Sequence, residues 1–292
     1  MSNLPDFDQL WDFRDPAATE LAFKALIPLA ESADNESYKG QLFTQIARTL
    51  GLQRKFEDAH AVLDAIAQST LDAHPIVRVR FLLERGRVFN SSRNKPAAKP
   101  LFAEAWEFGK IHKLDYFAVD AAHMMGFIFS GSEKVDQKLA WEEKALALAE
   151  SSPSEKAKKW LGSLYNNIGW SYHEMKAFAK AKSMFEKCLD WQQANEKIAG
   201  AKISKWSIAK MDRLLGNTQQ ALTSQLTLLK ADGGQDEYGY TFEEIAECYL
   251  VLQQSDQAAQ YAKKAWELLS KDPWLCENEP ERVKRLKQIG NS

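Results

Sequence analysis

The chain has 292 residues, 45% hydrophobic and 27% charged, which suits a large packed core and excludes a disordered chain. Lys plus Arg number 38 against 40 Asp plus Glu, a formal net charge of −2. That balance argues against sequence-independent nucleic-acid binding, which needs a basic field, and against a polybasic membrane anchor.

The chain opens MSNLPDFDQLWDF, without the basic and apolar stretches of a secretory leader. No later apolar run approaches the length of a membrane span. Cys188, Cys248 and Cys276 are too few and too scattered for a disulfide framework or a zinc knuckle, and read as free thiols of a reducing compartment. A soluble, cytoplasmic protein is the expectation. Without a leader, the glycosylation patterns at Asn35 and Asn90 carry no weight.

Asp15 to Ser32 reads as a lone amphipathic helix. From there Ala, Leu, Lys and Glu dominate, and no two alternating apolar runs are joined by a hairpin signal, so the fold class is all-α. Proline falls where helices start, in Asp15-Pro16, Asn94-Lys95-Pro96, Ser152-Pro153 and Glu279-Pro280. Ser152-Pro-Ser-Glu155 has the form of a capping box and opens a long helical run from Ser154 to Met175.

Residues 164 to 190, LYNNIGWSYHEMKAFAKAKSMFEKCLD, read as two helices joined at Lys176–Ala177. Tyr165, Ile168, Gly169 and Tyr172 share one face of the first; Phe178, Ala181, Phe185 and Cys188 share one face of the second. The small residue at Gly169 recurs as Ala47, Gly86, Gly126, Ala209 and Ala246, at intervals of 39, 40, 43, 40 and 37 residues. The Phe185 position recurs as Leu63, Phe102, Glu142, Gln225 and Ala262. Four repeats match well, near 41–68, 80–107, 162–190 and 240–268. The third is degraded by Lys138 and Glu142, the fifth by Asp212 and Gln225. Trp106 and Trp266 are expected to pack between repeats, and Trp11 and Trp274 to pin the ends.

This pattern resembles the tetratricopeptide repeat, with a period nearer 40 than the usual 34, and is similar to the extended repeats of kinesin light chains and bacterial peptide-sensing regulators. The resemblance implies a right-handed superhelical solenoid of antiparallel helix pairs, about six repeats with terminal capping helices. The expected division is an N-terminal segment and cap over 1–39, one continuous array over 40–272, and a cap and tail over 273–292, with Glu279 to Ile289 as a charged terminal helix.

In this family the first helix of each pair lines a concave groove that takes a protein or extended peptide. The resemblance therefore places in the groove Thr44, Gln45 and Arg48; Glu84, Arg87 and Asn90; His123, Met124 and Phe127; Asn166, Asn167, Trp170 and His173; Trp206, Lys210 and Arg213; and Glu243, Glu244 and Glu247. Asn166 and Asn167 are poor helix formers, and their amides suit the backbone of a ligand. The implied groove is graded, from Arg48 and Arg87 through an aromatic middle to an acidic end. The residues of the family's carboxylate clamp do not assemble here. No phosphate loop, dinucleotide fingerprint, nucleophile elbow or H-E-x-x-H motif is present, so no enzyme and no cofactor is expected. The weaker alternatives are a peptide-responsive sensor, or a metal site drawn from Glu84, Asp120, His123 and His173. The sequence does not give the oligomeric state.

Overall fold

The structure, a computed structural model, describes residues 4–131, 134–231, 233–234 and 238–291. Among them all regular structure is helical. After a 3₁₀ turn at Phe7–Leu10 come α1 Pro16–Ala25, α2 Ile27–Ser32, α3 Glu36–Leu52, α4 Phe56–Asp64, α5 Gln68–Ala73, α6 Pro75–Ser91, α7 Lys95–Ile111, α8 Asp115–Ile128 and α9 Val135–Ser151. These are followed by α10 Glu155–Lys158, α11 Leu161–Glu174, α12 Phe178–Ala194, α13 Ile198–Leu214, α14 Thr218–Ala231, α15 Tyr240–Val251, α16 Ser255–Leu269, α17 Pro273–Asn278 and α18 Pro280–Gly290. The chain packs as two compact units that meet in sequence inside α11, at Leu164–Tyr165.

The repeat pairs are α3/α4, α6/α7 and α8/α9 in the first unit and α11/α12, α13/α14 and α15/α16 in the second. Close approach within a pair follows from the small residue of its first helix. A methyl group added at Gly86 would lie 2.5 Å from the Phe102 ring, and one at Gly169 would lie 2.6 Å from Phe185. The degraded repeats keep the same register. Glu142, buried, faces Gly126, and Gln225, fully buried, donates from Nε2 to the Trp206 carbonyl at 3.2 Å.

Most turns between successive helices, within pairs and from one pair to the next, close in one way. Arg54, Arg93, Lys113, Lys176, Glu196 and Gln253 all have positive φ, between 56° and 66°. The next N–H then reaches back five residues, as from Lys55 to the Leu50 carbonyl (2.9 Å) and from Ala177 to that of Tyr172 (2.9 Å). These are Schellman closures built without the usual glycine. The long period has two sources: α3, α6, α7, α9, α12 and α13 each run to 17 residues, and the short helices α5 and α10 are inserted.

Three expectations change. Asp15–Ser32 is two helices, because Pro28 has no N–H and its ring would collide with a preceding carbonyl. The Ser154–Met175 run breaks at Lys159–Trp160, where the Trp160 ring turns against His123 at 5.0 Å and Tyr116 at 6.2 Å. The cap of α10 is Ser154, whose Oγ accepts from the Ala157 N–H; Ser152 is buried and donates to Asp115 at 2.6 Å.

In the first unit, Phe7 is buried edge-on to Phe23 and Tyr38, and Trp106 packs against Trp141. In the second, Trp266 packs on the core beneath Lys287, and α18 seals α16 with buried Leu286. Trp274 is exposed and pins nothing; its neighbour Leu275 is the buried side chain.

Candidate binding surfaces

In the first unit the inner faces of α3, α6 and α8 form the floor of a groove of about 930 Å³. Its floor charges are mutually satisfied. Arg48 donates to Glu84 at 3.3 Å, and Arg87 bridges Glu84 at 2.6 Å and Asp120 at 2.5 Å. Burial opposes the charge on Arg87, but Asp120 and Glu84 outweigh it and raise the pKa. The ladder ties each first helix to the next and leaves little net charge on the floor.

Two features outside the repeat pattern wall this groove. One is the N-terminal segment. Asp8 takes a two-pronged hydrogen bond from Arg80 at 2.8 and 3.1 Å, and Arg80 is 8% exposed and lies over the Phe7 and Phe117 rings. Tyr38 donates its hydroxyl to the Pro5 carbonyl at 2.9 Å, and Trp11 Nε1 donates to Gln45 at 3.1 Å. Trp11 stacks on exposed Phe13, and Arg48 lies over both rings. The other wall is the α7–α8 turn with α10, which brings Lys113, Tyr116, Lys156, Lys159 and Trp160 to the rim.

Of the expected groove residues of this unit, Gln45, Arg48, Glu84 and Arg87 line the cavity. Thr44 is fully buried and donates to the Gln41 carbonyl. Asn90, His123, Met124 and Phe127 lie outside the lining. Met124 borders a separate small cavity of about 130 Å³, and His123 packs edge-on to half-exposed Phe127 and against Trp160. Burial, with Arg87, lowers the His123 pKa against the pull of Asp120. Because Glu84 and Asp120 hold Arg87, they do not form a metal set, and among the described residues no three His, Cys, Asp or Glu side chains do.

The second unit carries a half-buried aromatic ladder. Trp170 and Trp206 have ring centroids 6.2 Å apart, and Trp206 and Tyr240 are 6.4 Å apart. Trp206 Nε1 donates to the Tyr240 carbonyl at 3.3 Å. His173 stands edge-on to Trp170, and its pKa is lowered by burial and by Lys210. Asn166 Nδ2 reaches the Asn167 amide oxygen at 3.5 Å. All of these but Tyr240 are sequence-expected, and they come together on adjoining first helices.

The expected acidic end does not survive. Glu244, 1% exposed, is clamped by Lys210 at 2.5 Å and Arg213 at 2.9 Å. Burial works against its ionisation, but the two cations hold its pKa below the usual carboxylate range. Buried Glu243 accepts from Arg282 at 2.7 Å, and Glu247 pairs with Arg285. The C-terminal helix supplies the counter-charges that a reading of single repeats omits. Burial, then Glu244, pushes the Cys248 thiol up to about 12, so it offers no thiolate.

The sequence reading missed both walls. Their signals were present in the alternation of acids and aromatics in DFDQLWDF and in the Lys156/Lys158/Lys159 cluster, but neither lies in the repeat pattern.

Residues 162–195 match the tetratricopeptide repeat family model. The chain is similar in structure to a signal transduction ATPase with numerous domains from Pyrococcus horikoshii that carries a tetratricopeptide repeat sensor. That likeness has a TM-score of 0.72 at 14% identity, covering 96% of this chain and 44% of the other. The chain thus corresponds to less than half the length of that protein. It is also similar to a putative kinesin light chain from Podosopora anserina, with a TM-score of 0.54 and 14% identity over 68% of this chain and 97% of that one. The C-terminal part of a repeat protein from Cytophaga hutchinsonii gives a TM-score of 0.56 and 15% identity over 93% and 98%. Among curated proteins none matches in sequence. The fold is that of tetratricopeptide-repeat proteins, an all-α helical-repeat fold that generally serves protein interaction. No helix among the described residues is long and apolar enough to cross a membrane.

Proposed function

We propose that the chain is a non-catalytic, cytoplasmic adaptor or scaffold that binds an extended segment of another protein in the groove of its first unit. The observation that carries this reading is the walled groove of about 930 Å³ on the first-helix faces, whose floor charges are already paired and whose rims carry aromatic side chains. Such a surface holds a main chain by shape and by a few anchors, with no reactive group poised for chemistry. The aromatic ladder of the second unit is a second contact surface on this reading. There the Asn166 and Asn167 amides clamp a ligand backbone beside Trp170. A sensor role, in which occupancy of the walled groove by a short segment is the signal, uses the same site.

The test is selection of binders to the full chain from an unbiased random peptide library. Removing the ring in Trp160→Ala should weaken selected peptides by roughly 2 kcal/mol, the scale of a central aromatic anchor. Asn167→Ala/Trp170→Ala does the same for peptides that use the second surface. Selected peptides insensitive to all of these changes would remove both sites.

A further inference from the structure

We infer that the segment held in the first unit's groove carries carboxylates along one edge and apolar, largely aromatic, side chains along the other. This rests on the groove reading above and names its ligand class. The two walls differ in chemistry. On the N-terminal side, Trp11 and Phe13 present their rings; of the nearby acids Asp8 pairs with Arg80 and Asp12 with Arg14, and Asp6 accepts from the Asp8 N–H and Gln9. On the opposite side Lys113, Lys156 and Lys159 are exposed, and among the described residues none of the three has an ion-pair partner. The nearby Asp115 accepts from Ser152. The floor cancels, with Arg48 and Arg87 against Glu84 and Asp120.

Hydrogen bonds from neutral groups leave Asp6 and Asp115 charged, so the unpaired charges are three lysines and Asp115 on one wall against Asp6 on the other. The charge left available to a ligand is therefore net positive on the wall that carries Tyr116 and Trp160. An extended segment places alternate side chains on opposite sides. Its acids would face the lysines, and its apolar residues would face Trp11 and Phe13. Exposed lysine–carboxylate contacts are screened by salt, whereas the ring contacts are not, so added salt separates the two contributions.

The test uses the full chain and three labelled synthetic peptides of alternating composition, Glu/Phe, Gln/Phe and Lys/Phe, followed by fluorescence anisotropy. The Glu/Phe peptide should bind at least about tenfold tighter than Gln/Phe at low salt, with Lys/Phe weakest. The gap should narrow at high salt. Lys156→Glu/Lys159→Glu, with helicity checked by circular dichroism, should reverse the order of Glu/Phe and Lys/Phe. Equal affinity for Glu/Phe and Gln/Phe, or an order unmoved by the double reversal, overturns the acidic edge. If Gln/Phe then still binds and Trp160→Ala abolishes it, the groove reading stands without the charge preference. Failure of all three peptides overturns the class, while the library selection decides on the groove itself.

Discussion

Replacing Arg87 with Met should destabilise the first unit far more than the loss of a surface charge would. Arg87 sits between Glu84, whose side chain is 5% exposed, and Asp120, 9% exposed. Methionine fills much of the same volume but leaves Asp120 buried without its cation, while Glu84 keeps Arg48 at 3.3 Å. Breaking a buried pair from one side costs about 3–5 kcal/mol, against about 0–1 for an exposed one. For a unit of this size that corresponds to a drop in Tm of about 10 °C. Thermal unfolding followed by tryptophan fluorescence reports it, through Trp11 and Trp160. Adding Asp120→Leu to Arg87→Met should restore most of the loss, because the stranded charge is then gone. A cost below about 1 kcal/mol, or a double variant worse than the single, would show that the ladder does not hold neighbouring repeats together.

Three other outcomes follow from the packing and the titrations. Gly169→Ala should destabilise by about 1 kcal/mol or more, since its methyl lies 2.6 Å from Phe185, whereas Gly51→Ala, with Val88 at an ordinary 3.5 Å, should stabilise through helix propensity; denaturant midpoints decide the signs. Lys176→Gly, at φ 57°, should stabilise by about 1 kcal/mol in the same assay. Burial keeps His123 and His173 below their ordinary 6.5, and Glu244 lies below its ordinary 4.5. The unfolded chain therefore binds these protons first, so stability is full above the ordinary values and is lost as pH falls through the native ones. A Tm profile should show a decline starting near pH 6.5 that His123→Phe and His173→Phe flatten, and a second below pH 4.5 that Glu244→Gln flattens.

The fold was legible because the small-residue and Phe185 positions encode contacts that helix geometry repeats. Gly86 against Phe102 and Gly169 against Phe185 are the same contact twice, and even Glu142 and Gln225 keep the register. The helix breaks were less legible, because Trp160 leaves the helical path for a tertiary reason, its contact with His123 on α8. The site was legible only in part. First-helix faces could be placed, but the charge on them could not. Glu243 and Glu247 look like a free acidic end until α18, some 38 residues on, brings Arg282 and Arg285 to them. Partners from another repeat have no local signature. The walls were illegible for a related reason: the N-terminal segment and α10 interrupt the pattern that made the rest readable.

Hydrogen exchange on the full chain, with and without a peptide chosen from the unbiased library, tests the groove most directly. The account predicts slowed exchange in the inner helices α3, α6 and α8 and in the two walls, residues 4–13 on one side and 113–116 with 154–160 on the other, with α4, α7 and α9 unchanged. Protection confined to α4, α7 and α9, with the walls unaffected, would contradict it.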